Sequence, residues 1–205
     1  MNQNAVIVFQ KNPELGKVKT RLAAALGDQQ ALDIYKYLID STYSQLSGIS
    51  DADIFVYFSE CSSKSSLKIP HQTAVQSGVD LGERMKSAFE EVFALGYKRV
   101  ILIGTDCPDI ETNIMNQALE ELLSKDAVFG PALDGGYYLI GLKEVYREIF
   151  ENIPWSTDKV LQMTEIQLQK RNLTYSLLKP LRDIDTPEDW ETYLSTKVRI
   201  THHNK

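Results

Sequence analysis

Two cysteines, Cys61 and Cys107, and three histidines, His71, His202 and His203, are all that 205 residues contain of the usual soft metal ligands. No CxxC pair and no histidine spacing of a ligand kind occurs, which excludes a disulfide framework and a His/Cys zinc site. Cys107 has no histidine near it in the sequence and reads as a packing residue, not a nucleophile. No apolar run approaches the ~20 residues of a membrane-spanning helix. The opening MNQNAVIVF lacks a charged-then-apolar leader pattern, so a cytoplasmic location is expected. Basic excess is missing too: 22 Lys and Arg stand against 28 Asp and Glu, a formal charge of −6. A general nucleic-acid-binding surface is thereby disfavoured. The chain has neither GxGxxG nor GxxxxGK[ST], the two familiar glycine-rich phosphate loops. Repeats, low-complexity tracts and evident linkers are absent.

What remains is the balance of an ordinary globular domain, 43% hydrophobic and 24% charged, long enough to bury a core without covalent staples. Continuous β-branched runs predict buried strands at 5–9, 53–58, 100–103, 127–130 and 137–140, with shorter ones at 73–76 and 175–178. Apolar residues at three- and four-residue spacing predict helices from about Asp28, from Leu81 to near Gly96, after Pro108, around Glu144 to Phe150 and over Thr157 to Arg171. Thr186-Pro187 reads as a helix N-cap followed by proline at the first helical position. The Ser- and Lys-rich segment from Glu60 to Pro70 reads as a mobile surface loop. This order is that of a single α/β domain over residues 1–196, three layers with a mostly parallel sheet, followed by a tail at 197–205. Ligands of such sheets sit beyond the carboxyl ends of the strands. Three polar motifs fall at such ends.

The first is KNPELGKVKTR, which packs Lys11, Lys17, Lys19 and Arg21 against a single acid, Glu14. Gly16 frees the backbone for close approach to a phosphate; Lys19, Thr20 and Arg21 supply charge and donors. A solvated turn is the competing reading. The second is RVILIGTDCPDI, where Asp106 either caps a turn or holds a cation such as Mg²⁺ or Mn²⁺, which prefer carboxylate oxygens and substrate phosphates. A metal needs a second carboxylate, and Asp183 and Asp185 of RDIDTP, two residues apart, point the same way in an extended segment. Helix capping competes for Asp185 as well. Convergence of the motifs favours Asp106 as a ligand and leaves Asp109 as the helix cap. The third is GPALDGGYYLIG. Gly135 and Gly136 let an acceptor or sugar approach the backbone, and Asp134 is presented as a catalytic base or hydroxyl partner; a plain hairpin turn is the alternative. Gly82 of LGERM permits close contact with a base or phosphate, with Arg84 beside it as a candidate phosphate contact. Trp155 of IPWST suits stacking on a sugar or base, or core packing.

Taken in order from Val6 to Trp190, the segments VIVFQKNPELGKVKTRLAAALG, GVDLGERM, GTDCPDI, GPALDGGYYLIGL, IPWST and DIDTPEDW resemble a bacterial family of small glycosyltransferases of the GT-A, nucleotide-diphospho-sugar transferase fold. That family is associated with radical-SAM and selenium-related genes and includes arsenosugar biosynthesis glycosyltransferases. More distantly, KVKTRLA is similar to the phosphate loop of phospholactate guanylyltransferases. DIDTPEDW is similar to the closing motif of molybdenum-cofactor nucleotidyltransferases. The resemblance implies a nucleotide or nucleotide-sugar substrate, a small-molecule acceptor, phosphate contacts from Lys19 and Arg21, and metal held by Asp106 and Asp185 with Asp183 beside them. It implies glycosyl transfer first and pyrophosphate-releasing nucleotidyl transfer second, ahead of a non-catalytic nucleotide-binding module. GTDCP offers one aspartate where many glycosyltransferases have a D-x-D pair.

Overall fold

Seven strands form one sheet in the computed structural model, which describes residues 2–60 and 65–203, with side chains described as far as residue 197. In chain order they are β1 (Asn4–Gln10), β2 (Ala52–Phe58), β3 (His71–Val75), β4 (Arg99–Ile103), β5 (Ala127–Pro131), β6 (Tyr137–Leu142) and β7 (Tyr175–Leu177). Their spatial order is β3-β2-β1-β4-β6-β5-β7. Every pairing is parallel except those of β6, which runs antiparallel to β4 and β5. The helices are α1 (Thr20–Leu26), α2 (Asp28–Leu46), α3 (Leu81–Ala94), α4 (Thr112–Glu121), α5 (Val160–Lys170) and α6 (Pro187–His203), with a 3₁₀ turn at Arg147–Phe150. The expected single α/β domain with a mostly parallel sheet is the fold observed.

Period-two alternation in the strands divides the core cleanly. Val6, Val8, Ile54, Val56, Ile101 and Ile103 face α2 and α4. Ala5, Ile7, Phe55, Tyr57, Val100 and Leu102 face α3 and α5. A third cluster joins α1, α2 and α6 through Leu22, Leu38, Ile184 and Tyr193. The central strands are buried on both faces, which is why they read as unbroken apolar runs.

Four local expectations change. Helix begins eight residues earlier than Asp28, because Thr20–Leu26 forms a separate α1 that Gly27, at φ 86°, ends. The segment from Glu144 to Phe150 makes only the 3₁₀ turn, too short to continue past Glu151. Asp109 is not a cap: α4 starts at Thr112, whose N–H donates to Gln45 Oε1 (3.0 Å), while Asp109 pairs with Lys197 (3.3 Å). Backbone helix in α6 continues to His203, into the segment expected as a tail from residue 197. Residues 61–64 of the loop expected from Glu60 to Pro70, Cys61 among them, and the side chains of His202 and His203 lie outside the described residues.

Candidate active site

Between β1 and α1 the chain makes its sharpest commitment at Lys19, which takes left-handed backbone angles (φ 48°, ψ 49°). That conformation costs a non-glycine residue about 1–2 kcal/mol and persists only where the surroundings hold it. Here it turns the side chain inward. The Lys19 ammonium lies 2.6 Å from Asp106 Oδ1 and 3.0 Å from Asp185 Oδ1, and the side chain is only 5% exposed. Burial disfavours the charged amine, but the two carboxylates outweigh it and hold the ammonium protonated above its ordinary range.

Asp106 stands just beyond β4. The Ile184 N–H donates to its carbonyl (2.9 Å), which pins the 183–185 segment alongside the strand end. That segment arrives through an earlier stitch, a parallel bridge between Ala132 and Leu181. Ile184 then points into the third cluster while Asp183 and Asp185 line the cleft, as an extended backbone requires. The cap of α6 is a reciprocal one: Thr186 Oγ1 accepts from the Asp189 N–H, and Asp189 Oδ2 accepts from Thr186 N–H (3.0 Å). Asp185 is therefore not spent on capping. Burial, then the charges of Asp106 and Asp134, push the Asp183 carboxyl up to about 7, with Lys19 pulling the other way. Its Oδ1 is buried with no hydrogen-bond partner.

These groups sit in a cleft of about 740 Å³ across the carboxyl ends of β1, β4 and β5. Of the residues singled out from the sequence, Lys11, Lys19, Thr20, Arg21 and Arg84 line it, as do Asp106, Asp134, Asp183, Asp185, Gly136 and Trp155. Three glycines do not, and each has another task. Gly16 (φ 75°) turns the loop, and a side chain there would approach Asp28. Gly82 packs beneath the Trp155 ring. Gly135 (φ 91°) abuts the Asp158 backbone, where any Cβ would overlap the carbonyl. Asp134 Oδ1 accepts from Gly136 N–H (2.9 Å), closing the turn while leaving an exposed carboxylate at the cleft mouth. Cys107 is buried and its thiol pushed up, first by that burial and then by Asp183, consistent with packing.

One polar residue escaped the sequence reading. Tyr35, inside the helix expected from about Asp28 but not singled out, is 2% exposed, yet its hydroxyl lies 3.2 Å from Thr105 Oγ1, accepts from Lys11 N–H (2.9 Å) and donates to the Lys11 carbonyl (3.2 Å). It ties the basic loop to the GTD turn. Its hydroxyl was no clear signal, since Thr42 on the same helix face carries one too.

The donor set suits a hard divalent cation: carboxylate oxygens of Asp106 and Asp185, with the orphaned Asp183 Oδ1 behind them. Among the described residues, no group of three Asp, Glu, His or Cys side chains could hold a metal alone. A cation here has to share its coordination with a ligand, as Mg²⁺ does with substrate phosphates.

Known proteins agree with this architecture. A protein of Desulfovibrio desulfuricans G20, provisionally named a nucleotide-diphospho-sugar transferase, superposes with a TM-score of 0.85 at 35% identity, over 91% of this chain and 84% of that one. The 2-phospho-L-lactate guanylyltransferase of Methanocaldococcus jannaschii is 26% identical over 178 residues, 85% of this chain and 76% of the relative. Rv0371C of Mycobacterium tuberculosis H37Rv, in complex with manganese, shares the fold (TM-score 0.60, 12% identity, 94% and 98% coverage). The family described as "Uncharacterized protein conserved in bacteria" (DUF2064) matches residues 42–157. With more than half its length inside that match, and with the fold of a nucleotide-diphospho-sugar transferase, the chain belongs to the DUF2064 family.

Proposed function

We propose that the protein is a nucleotidyltransferase, joining a nucleoside monophosphate from a nucleoside triphosphate to a phosphorylated small molecule and releasing pyrophosphate. The observation that carries this reading is the pairing of Lys19 with Asp106 and Asp185 at the base of a cleft that Lys11, Arg21 and Arg84 also line. Carboxylates below and cations alongside are what a metal–polyphosphate needs. Likeness to a guanylyltransferase over most of the chain supports nucleotidyl over glycosyl transfer and makes GTP the first triphosphate to try.

In such a reaction an acceptor phosphate oxygen attacks the α-phosphorus. The new P–O bond forms as the bond to the bridging oxygen of pyrophosphate breaks. The acceptor phosphate is already ionised at neutral pH, so no base has to be aimed at it. The protein's work is positioning and charge neutralisation. Lys11, Lys19 and Arg21 would meet the departing phosphates, Arg21 with the fork that matches phosphate oxygens. Asp106 and Asp185, with Asp183 beside them, would hold Mg²⁺ or Mn²⁺, which supplies further neutralisation at the phosphate oxygens. The tyrosine tether from Tyr35 keeps Lys11 and Thr105 in register.

Glycosyl transfer from a nucleotide-sugar is the second reading. The exposed Asp134 carboxylate favours it, because a hydroxyl acceptor gains from a nearby base. So does the provisional name of the Desulfovibrio relative. Pyrophosphate release separates the two. With GTP, Mg²⁺ or Mn²⁺ and a panel of phosphorylated hydroxy acids that includes 2-phospho-L-lactate, pyrophosphate is expected to appear with one acceptor. Release of a nucleoside diphosphate from a nucleotide-sugar, without pyrophosphate from any triphosphate, replaces the first reading by the second.

A further inference from the structure

The contacts of Lys19 carry a consequence for how the cleft fills. A cation held by Asp106 and Asp185 would meet the Lys19 ammonium, which already faces Oδ1 of each at 2.6 and 3.0 Å. The ammonium is only 5% exposed, so little water screens it from a second cation on the same two carboxylates. An ammonium and a divalent ion a few ångströms apart repel strongly in such a site. Among the described residues no other cation pairs with either carboxylate; Arg84 donates instead to the Gly78 carbonyl (3.2 Å). Lys19 is also the residue with left-handed backbone at the start of α1, the conformation that accompanies its inward aim.

We infer that the Lys19 ammonium and a divalent cation are mutually exclusive partners of Asp106 and Asp185, and that a nucleotide phosphate takes Lys19 over when the cation enters. Cation and nucleotide then bind as a pair, each raising the other's affinity by the same factor. Lys19 in this sense competes with the metal until a phosphate draws it away. The exclusion rests on the Lys19 contacts and the charge repulsion they imply; the identity of the anion that receives Lys19 rests on the function proposed above.

The test is a titration of the full chain with MnCl₂, free Mn²⁺ being read by electron paramagnetic resonance, with and without a non-hydrolysable GTP analogue. In the wild type, Mn²⁺ alone is expected to bind weakly and the analogue to raise its affinity on the order of tenfold, after correction for Mn²⁺ chelated by free analogue. Lys19→Met is expected to bind Mn²⁺ alone about tenfold more tightly than the wild type and to lose the coupling. Lys19→Gly, which suits the left-handed backbone, is expected to do the same and covers the case in which the methionine variant does not fold. Mn²⁺ affinity in either folded variant that equals or falls below the wild type's, with no nucleotide present, overturns the inference. If no nucleotide of any kind binds the wild type, the functional reading fails while tighter Mn²⁺ binding by the variants still upholds the exclusion.

Discussion

The Trp155 indole rests on the backbone of Gly82, the second residue of α3, so closely that a Cβ at 82 would overlap ring atoms Nε1, Cε2 and Cζ2. On its other side the ring meets Tyr137 edge-on, with centroids 6.5 Å apart. The contact clamps the 153–158 loop to α3 at one wall of the cleft. Gly82→Ala is therefore expected to cost about 1–3 kcal/mol through overpacking and to shift the emission of Trp155. Denaturant melts and fluorescence in a Trp190→Phe background, which leaves Trp155 as the remaining tryptophan, check this. An unchanged midpoint and spectrum would remove the clamp.

Asp106→Asn and Asp185→Asn are each expected to abolish the rise in Tm that Mn²⁺ and GTP together give the wild type. Each keeps a side chain of the same size and leaves an oxygen to accept from Lys19, so the fold is preserved while the charge that a hard cation seeks is lost. Differential scanning fluorimetry with Mn²⁺, with GTP and with both reads the effect. A full combined shift in Asp106→Asn would return Asp106 to a turn-closing role.

Acid sensitivity is expected from the cap of α6. Burial pushes the Asp189 carboxyl up, but hydrogen bonds from Arg182, from Thr186 and from the Asp185 N–H outweigh it and hold the group below its ordinary range. The folded state thus binds this proton less readily than the unfolded chain. Its contribution is complete above the unfolded value near ~3.9 and is lost as pH falls through the lower folded value. Asp189→Asn should lower stability by about 1 kcal/mol at pH 7, a typical cap loss, and flatten the acid limb of the stability profile. A variant profile parallel to the wild type's from pH 7 to 3 contradicts this.

The strands and the cleft's membership were legible in the sequence because both depend on order along the chain: β-branched runs mark buried parallel strands, and polar residues just past them fall at one sheet edge. Three things were not. The inward turn of Lys19 needs a left-handed residue that no glycine or asparagine announces. Gly82 and Gly135 looked like room for a ligand, yet each is filled by another part of the chain, Trp155 and the Asp158 backbone, from about 73 and 23 residues away in sequence, contacts that only the fold creates. Tyr35 shared the helical period of its aliphatic neighbours, and periodicity cannot tell a packed ring from a ring whose hydroxyl reaches a site.

Tyr35→Phe tests that last point. The change keeps the ring in its packing cluster and removes one hydroxyl, leaving the Lys11 N–H without its acceptor and Thr105 without its neighbour. Stability is expected to fall by about 1–2 kcal/mol, the cost of a buried polar group losing its partner, and the affinity for a nucleoside triphosphate to fall with it as the basic loop loosens. Chemical denaturation and isothermal titration calorimetry measure the two separately. Loss of stability with full nucleotide affinity would confine Tyr35 to the core.

Asp134→Asn discriminates between the two transfer reactions without disturbing the turn. Asparagine Oδ1 can still accept from the Gly136 N–H, so the loop geometry and stability should stay within about 0.5 kcal/mol of the wild type, as for surface changes generally. What disappears is the negative charge and the capacity to take a proton. An acceptor phosphate needs neither, so nucleotidyl transfer is expected to slow by less than about tenfold. A hydroxyl acceptor loses its base, and removal of a general base costs roughly 10²–10⁴ in rate. Steady-state rates for the variant, measured with whichever donor and acceptor pair the wild type uses, therefore show which kind of oxygen attacks: a hundredfold fall in kcat would assign Asp134 to proton removal and favour glycosyl transfer.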